Sequence, residues 1–316
     1  MSAPATDRDR LGDLCLELAR DLRETVLPEL GSVRGRDHHG TAPGGDVTFA
    51  VDEQAEQRLA EFLAERAPDV AFYSEDRGLV LPDDTHEARW VLIVDPIDGT
   101  RPAMAGFEAA CVAVAAAPME GTPTIGSTEI GVIIEIKTGA EFVAVRGKGV
   151  TPAPALSQTV DLRRLFLVYG LRGRPARETI EVLAELIDGA SVGGSTFDLG
   201  SASYDLTRIL TGQLDAYVEP GPRLVSEVPG MRERFEEIGN GAILNNTPYD
   251  LAAAVLILRE GGAIVTDATG APLDDRALLG SGPEFQMSCV AASSAELHSR
   301  VLNAVEAGMA RVRDAA

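Results

Sequence analysis

Apolar residues recur every three or four positions in two segments near the start of the chain. The first segment covers residues 8 to 30, and the second begins at Asp52 and ends before Pro68. This spacing places the apolar side chains on one face of a helix, so both segments are predicted to be amphipathic α-helices. A glycine-rich loop between them leads into a short predicted strand at residues 47–51.

Short apolar runs, bounded by glycines or acidic residues, predict several β-strands after the second helix. They cover residues 70–76, 91–95, 108–118, 130–136 and 140–146. Most of these strands are joined by turns that contain glycine, which favours hairpin connections.

Strand and helix patterns alternate in the second half of the chain, which predicts a mixed α/β layer. The predicted strands are 165–169, one near 191, 215–218 and 263–266, and the predicted helices are 175–188, 200–212, 250–260 and one from about 294. The segment TPAPALSQ, residues 151–158, is the best candidate for the boundary between two subdomains. We therefore predict an α+β subdomain over residues 1–155 and an α/β subdomain over residues 156–316.

The composition is that of a globular protein with a large acidic excess. Its 316 residues include 49 Asp and Glu against 28 Lys and Arg, a net charge of −21. This charge would repel a phosphate backbone, so a nucleic-acid polymer is not expected as a partner. No apolar run is long enough for a membrane span and the N-terminus is charged, so we expect a cytoplasmic protein that does not bind a membrane.

Several carboxylates stand where a predicted strand ends or a predicted helix begins. Glu75 and Asp95 end strands, Asp98 follows three positions later, and Asp52 and Asp250 begin helices. Ligand sites are commonly built at such edges. Clustered carboxylates repel one another unless a cation neutralises them, and a purely oxygen ligand set favours Mg²⁺. Taken singly, Asp52 and Asp250 could each be only a helix cap.

The segment VDPIDGT, residues 94–100, carries the strongest signal. Pro96 and Gly99 are expected to turn the chain, so that three oxygen ligands point at one place: Asp95, the carbonyl of Ile97 and Asp98. The backbone N–H groups of Gly99 and Thr100 then lie where an anion can bind. A divalent metal beside an anion pocket is suited to phosphoryl transfer to water.

Two other readings of this segment fail on spacing and geometry. Haloacid-dehalogenase phosphatases have a nucleophilic aspartate two positions before the second aspartate, and Pro96 occupies that position here. The aspartate-rich motifs of prenyl-transferring enzymes lie on helices, which Pro96 and Gly99 disfavour.

Five motifs in order resemble those of the inositol monophosphatase family, which belongs with fructose-1,6-bisphosphatases to a lithium-sensitive sugar-phosphatase superfamily. They are GDVTFAVDEQAE, YSEDRG, VDPIDGT, LGSASYDLTRILTGQLDAYVE and YDLAAAVLILREGGAIVTDATGAPLD. The resemblance covers nearly the whole chain. It implies a layered αβαβα five-layer sandwich and usually a homodimer.

The resemblance also implies roles for individual residues. Two to three Mg²⁺ ions would be held by Glu75, Asp95, the carbonyl of Ile97, Asp98 and Asp250. The implied catalytic residues are Asp52, Thr100 and Glu75, with Thr100 and Asp52 orienting the water that attacks phosphorus. The implied substrate contacts come from Gly99, Thr100, Ala202 and Glu219.

The chain departs from the family pattern where the substrate wall is expected. Thr41 stands where the family often has a lysine, and Phe197 where its inositol phosphatases tend to have an arginine. The link between Glu219 and Asp250 is much longer than in the family. Proline and glycine on either side of a short charged element make residues 220–248 suited to a flap over the site, in which Arg223, Arg232 and Arg234 would meet a second phosphate or carboxylate of the substrate. A surface elaboration or a dimer contact is the alternative for this segment.

These features favour a Mg²⁺-dependent phosphomonoesterase that hydrolyses a small sugar, polyol or nucleotide phosphate. The departures from the family pattern at the expected substrate-binding surface argue against inositol phosphate as the substrate. The alternative is a family member that has lost catalysis and acts as a binding or regulatory subunit. The complete set of acids, together with Thr100, argues against that alternative.

Overall fold

The computed structural model describes residues 7–32, 38–82 and 87–316. Nine α-helices lie in these ranges. They are α1 (Asp7–Val26), α2 (Ala50–Arg66), α3 (Thr100–Ala105), α4 (Ala176–Ala190), α5 (Ala202–Leu210), α6 (Gly221–Glu227), α7 (Met231–Ile238), α8 (Pro248–Glu260) and α9 (Ala295–Ala315).

The described residues also contain fourteen β-strands. They are β1 (His38–Thr41), β2 (Val47–Phe49), β3 (Ala71–Ser74), β4 (Gly78–Val80), β5 (Trp90–Asp98), β6 (Cys111–Pro118), β7 (Ile130–Glu135), β8 (Glu141–Val145), β9 (Gly149–Thr151), β10 (Phe166–Tyr169), β11 (Ser195–Phe197), β12 (Ala216–Glu219), β13 (Ile264–Thr266) and β14 (Cys289–Ala292).

The strands form three sheets. β1 and β2 make a small antiparallel hairpin. The seven-stranded sheet has the order β4-β3-β5-β6-β7-β8-β9, in which only β3 and β5 are parallel neighbours. The five-stranded sheet has the order β11-β10-β12-β14-β13, with β10 parallel to both of its neighbours.

The helices and the two larger sheets stack in five layers, which confirms the αβαβα sandwich. α1 and α2 cover one face of the seven-stranded sheet, α5 and α8 lie between the sheets, and α4 and α9 cover the far face of the five-stranded sheet. Three hydrophobic clusters fill the interfaces, and the middle one takes residues from both halves of the chain. The subdomain boundary near residue 155 stays a prediction.

The predicted helices and longer strands are present, with ends shifted by a few residues. The strand expected near residue 191 lies at Ser195–Phe197. The sequence analysis missed β1, β4, β9 and β14 because each contains only three or four residues and depends on its sheet neighbours for pairing. The prediction that the strand at 91–95 ends in a turn was wrong, because β5 continues to Asp98 through a bulge.

The segment between Glu219 and Asp250 is part of the packed structure. It contains α6 and α7, and four of its apolar side chains are buried in the third hydrophobic cluster: Leu224, Val228, Phe235 and Ile243. The prediction of a flap was therefore wrong for α6 and α7, although residues 244–247 at the end of the segment line a cavity beside Asp250. Burying these side chains ties the segment to the five-stranded sheet and to α9.

The arginines of this segment also do not face a substrate. Arg223 is buried and donates hydrogen bonds to Glu227, Glu306 and the carbonyl of Ala268. Two further arginines form surface ion pairs within α7, Arg232 with Glu236 and Arg234 with Glu237. All three arginines are thus paired with acids away from the predicted metal ligands. The expectation that they face the substrate was wrong.

Candidate functional site

Three of the predicted metal ligands meet at one point. One carboxylate oxygen from each of Asp95, Asp98 and Asp250 lies within 4.8 Å of the other two. Asp95 and Asp98 are on β5, and Asp250 is in the first turn of α8, which packs against that sheet. The site therefore forms where the middle helical layer meets the seven-stranded sheet.

The bulge in β5 explains how two acids of one strand reach the same place. Asp95 is opposite Ala113 on β6 and Asp98 is opposite Cys111, so β5 has one residue more than its partner between these pairs. An extra residue bends the strand and redirects the side chains beside it. The amide of Ile97 donates a 2.9 Å hydrogen bond to Asp95, which fixes the bent segment.

Gly99 ends the strand and precedes α3. Its φ is +92°, and a Cβ atom here would lie 2.4 Å from the carbonyl oxygen of Ala109 and 2.8 Å from Cβ of Ser201. Only glycine satisfies both the left-handed backbone and this close packing. The first N–H groups of α3 have no partner within the helix, so this geometry fits the predicted anion contact.

Glu75 follows β3, the parallel neighbour of β5, and thus reaches the same edge of the sheet. Together with Asp52, Asp95 and Ile97 it lines a very small cavity. Glu56, a residue that the sequence analysis did not assign to the site, accepts hydrogen bonds from the Ser74 hydroxyl at 2.7 Å and from the Asp76 amide at 3.2 Å. These bonds hold the turn that carries Glu75.

Burial and mutual repulsion raise the pKa of these carboxyl groups. Burial is the largest cause for Glu75, Asp95 and Asp98, and neighbouring acids add to it for Glu75 and Asp95. Burial and the charge of Asp98 raise the pKa of Asp250 to about 7. A cluster of buried oxygens that repel one another is the environment that a hard divalent cation stabilises, so the donor set fits Mg²⁺.

Asp52 and Asp250 both have capping roles that leave one oxygen for other contacts. Each is the third residue of its helix, not the first as predicted, because α2 begins at Ala50 and α8 at Pro248. Asp52 Oδ2 accepts the Phe49 amide at 2.8 Å, and Asp250 Oδ2 accepts the Thr247 amide at 2.6 Å. The capping and metal-binding interpretations are therefore compatible.

Thr100 is positioned between two oxygen acceptors. Its hydroxyl lies 3.1 Å from Asp52 Oδ1 and 3.1 Å from the carbonyl oxygen of Ile97, and it can donate to either. Burial is the main cause that raises the pKa of Asp52 to about 7. This Thr–Asp pair is adjacent to the acid cluster, as the resemblance implied.

The N-terminus of α5 closes one side of the site. The Ser203 amide donates a 2.5 Å hydrogen bond to Asp98 Oδ2, and the Ala202 amide also donates to Asp98. Ala202 itself is buried at the start of this helix and lines the adjacent cavity. The structure thus places this predicted substrate contact beside a predicted metal ligand.

Glu219, predicted to contact the substrate, lies behind the cavity wall. Its side chain is 0% exposed, its Oε2 pairs with Arg174 and its Oε1 accepts the Gly221 amide at 2.8 Å. Arg174, which the sequence analysis did not assign, lines the cavity instead. Arg174 therefore lies between Glu219 and this cavity, and Glu219 itself does not line it.

Two cavities with shared lining residues lie beside the acid cluster. The larger cavity, which we call the cleft, has a volume of about 750 Å³. It is lined by the four predicted metal-binding acids, Glu75, Asp95, Asp98 and Asp250, together with Thr100, Arg101, Phe107 and Lys137. The chamber, about 80 Å³, is lined by some of the same acids together with Arg174, Asn245, Asn246 and Tyr249. Both cavities are lined by Asp46, Glu75, Asp98, Arg172, Asp198, Gly200 and Asp250.

Three arginines and Asp46 are the main residues of the site that the sequence analysis missed. Asp46 forms ion pairs with Arg101 at 3.0 Å and with Arg172 at 2.9 Å. Arg172 and Arg174 follow β10 directly, and residues after a strand often reach a ligand site at the sheet edge. That position in YGLRGRP was the available signal for both arginines.

Comparisons with known proteins agree with this geometry. The model of the inositol monophosphatase family matches residues 8–310. A fructose-1,6-bisphosphatase/inositol-1-monophosphatase from Methanothermobacter thermautotrophicus is 24% identical over 93% of this chain and 95% of its own length. A Nus factor SuhB from Xylella fastidiosa is 29% identical over 76% of this chain and 74% of its own.

The fold is also similar to those of solved structures. A solved structure of an IMPase from Thermotoga maritima matches with a TM-score of 0.70 at 18% identity, over 96% of this chain and 99% of the other. Within the described ranges, no helix is both long and apolar enough to cross a membrane.

Proposed function

Because the chain belongs to the inositol monophosphatase family, we propose that it is a Mg²⁺-dependent phosphomonoesterase acting on a small phosphorylated substrate. The observation that carries this proposal is the convergence of Asp95, Asp98 and Asp250 beside a cleft large enough for a sugar or nucleotide phosphate. The proposed compartment is the cytoplasm and the proposed assembly is a homodimer.

The proposed metal ligands fall into two overlapping groups. Glu75, Asp95 and the carbonyl of Ile97 would hold one ion, and Asp95, Asp98 and Asp250 a second, with Glu75 helping a weaker third. Bound Mg²⁺ would neutralise phosphate oxygens and lower the pKa of a water molecule.

The neighbouring residues bind and orient the reactants. The N–H groups of Gly99 and Thr100, at the start of α3, would bind phosphate oxygens. The Thr100 hydroxyl, within 3.1 Å of Asp52 Oδ1, would orient the attacking water toward phosphorus. Orientation of this kind lowers the barrier because the reacting atoms are already aligned.

A regulatory role is the second candidate, and the relatives named Nus factor SuhB support it. These names describe those proteins, and for this chain they suggest a role that need not involve phosphate release. The retained acid cluster and the Thr100–Asp52 contact favour catalysis. The two candidates make opposite predictions about turnover.

The decisive experiment measures phosphate release from a panel of sugar, polyol and nucleotide phosphates, with Mg²⁺ or with excess EDTA. We expect Mg²⁺-dependent release, and we expect Asp95→Asn to lower turnover by orders of magnitude without unfolding the protein. The matched control is Asp314→Asn, which removes an exposed acid near the C-terminus. Full activity in EDTA would refute the metal assignment, and no release from any substrate would favour the regulatory role.

A further inference from the structure

A third cavity lies away from the acid cluster and has a volume of about 320 Å³. Three arginines line it, Arg223, Arg232 and Arg276, so we call it the arginine pocket. None of the predicted metal ligands, all of which lie in the described ranges, lines this pocket. A cavity of this size can hold a small organic molecule.

The segment between Glu219 and Asp250 contributes half of the residues that line the arginine pocket. They come from α6, from α7 and from the residues that follow α7. This segment is longer than the family pattern, so the pocket is not part of the resemblance on which the proposed function rests. The other half of the lining comes from residues 267–288, which follow α8 and precede β14.

The pocket has a net positive charge in a chain whose overall charge is −21. Arg223 is neutralised, because it pairs with Glu227 at 2.6 Å and with Glu306 at 2.7 Å. Asp267, the other acid that lines the pocket, accepts three hydrogen bonds through Oδ1 from residues of its own turn. Two arginines therefore remain against this one carboxylate, and a cationic excess of this kind favours an anionic ligand.

The two remaining arginines have donors to spare. Arg276 Nη2 donates hydrogen bonds to the carbonyl oxygens of Gln286 at 2.8 Å and Glu284 at 3.3 Å. Within the described ranges, Arg276 forms no ion pair, and its Nε and Nη1 make no hydrogen bond. Arg232 is 55% exposed and lies 3.9 Å from Glu236. A guanidinium presents five N–H donors in a fork that matches a carboxylate or a phosphate, so both arginines can bind an anion without breaking a buried ion pair.

The rest of the pocket suits the neutral part of an organic anion. Three buried apolar side chains line it, those of Ile243, Leu273 and Met287. The Ser288 hydroxyl oxygen accepts the Ala268 amide at 3.1 Å, which leaves the hydroxyl proton for an oxygen of the ligand. The expected ligand therefore combines one anionic group with a small apolar or aromatic body.

The arginine pocket and the chamber share a wall. Asn245 and Gln286 line both cavities, and Asn245 Nδ2 donates to Gln286 Oε1 at 3.0 Å. The Gln286 carbonyl accepts the hydrogen bond from Arg276, and the amide of the next residue, Met287, donates to the carbonyl of Asn246 at 2.9 Å. An anion that fixes Arg276 therefore acts on residues that line the chamber.

We propose that the arginine pocket binds a small organic anion, a phosphate or a carboxylate, as an effector, and that the wall of Asn245 and Gln286 transmits this binding to the chamber. Arg276 and Arg232 bind the anionic group, and the buried apolar side chains pack against its body. This inference goes beyond the proposed function, because the ligand is not hydrolysed and the metal ligands do not touch it.

Calorimetry with the Mg²⁺-loaded protein tests the pocket with three probes that share an aromatic body. They are phenylacetate, phenylphosphonate and phenylacetamide, the neutral analogue of phenylacetate. We expect at least one of the two anions to bind roughly tenfold or more tightly than phenylacetamide, because hydrogen bonds to a charged group are the stronger ones. The tighter of the two anions distinguishes a carboxylate from a phosphate. If neither anion binds more tightly than phenylacetamide, the inference is overturned.

Variants of the two arginines locate the bound anion. Arg276→Gln should weaken its binding roughly 10- to 100-fold, and Arg276→Lys should keep part of the affinity. Arg232→Gln should also weaken binding, and it removes an exposed side chain whose loss does not disturb the fold. Arg300→Gln is the matched control, because that arginine is 48% exposed and pairs with Glu296 on α9. Unchanged binding in both Arg276→Gln and Arg232→Gln would overturn the inference.

The Asp95→Asn variant separates this pocket from the proposed metal site. Binding to the arginine pocket should persist in Asp95→Asn, whether or not the protein releases phosphate. Binding that is lost in Asp95→Asn and kept in Arg276→Gln belongs to the metal site and would overturn the inference. A protein that hydrolyses no phosphate ester but binds the anion through Arg276 would refute the proposed function and keep the effector site.

Amide NMR spectra test the transmission to the chamber. Asn246, Thr247 and Tyr249 line the chamber but not the arginine pocket, so a ligand in the pocket does not touch them. Saturation with the bound anion should shift their amide resonances in the wild type and leave them unchanged in Arg276→Gln. Unchanged resonances in the saturated wild type, or equal shifts in both proteins, would overturn the effector role.

Discussion

Replacement of Asp250 by asparagine should stabilise the metal-free protein at alkaline pH. Burial and the charge of Asp98 raise the pKa of Asp250 from 3.8 to about 7. A group whose pKa is raised on folding contributes stability that is fully present below its unfolded pKa and is lost as the pH rises through its folded pKa. The relevant window is therefore between pH 4 and pH 7.

The magnitude follows from the pKa difference. Keeping Asp250 ionised in the folded state at pH 8 costs about 4 kcal/mol. Asparagine removes this cost and its side-chain oxygen can still accept the Thr247 amide, so the helix cap is retained. The favourable contacts of the ionised carboxylate with Thr247 already enter the pKa of about 7, so the expected net stabilisation at pH 8 is about 4 kcal/mol.

The assay is urea unfolding of wild type and Asp250→Asn in EDTA at pH 5 and pH 8. We expect the variant to be more stable at pH 8 and the difference to shrink at pH 5, where wild-type Asp250 is largely protonated. Excess Mg²⁺ at pH 8 should reverse the order, because the wild type gains the binding free energy of the ion. A variant that is less stable than the wild type in EDTA at pH 8 would refute the electrostatic reasoning.

Two further predictions concern the water-orienting residue and the segment between Glu219 and Asp250. Thr100→Ala should lower kcat with little change in KM, because orientation of the water matters mainly in the transition state. If steady-state kinetics instead show a normal kcat and a raised KM, Thr100 contributes to substrate binding. Phe235→Ala should lower the free energy of unfolding by about 3 to 5 kcal/mol, because α7 buries this ring completely. Unchanged stability in urea unfolding would restore the idea of a loosely attached flap.

The sequence alone determined the parts of the site that depend on local spacing. Asp95, Asp98, Gly99 and Thr100 lie within six residues of one another, so their relation is set by a few backbone dihedral angles. The amphipathic periodicity of α1 and α2 and the apolar runs of the main strands are also local patterns. Even here the bulge in β5 was not predicted, because it depends on the pairing of β5 with β6.

Only the tertiary structure decided which distant residues complete the site. Glu219 and Arg174 are 45 positions apart, and the packing of the loop 170–174 against β12 determines that Arg174 covers the carboxylate. Arg172 meets Asp46 for the same reason, although the two residues belong to different halves of the chain. An ion pair of this kind depends on layer packing and on the burial of both partners, and neither is encoded in local spacing. The chemistry of the phosphate end could therefore be predicted from short motifs, whereas the residues facing the rest of the substrate could not.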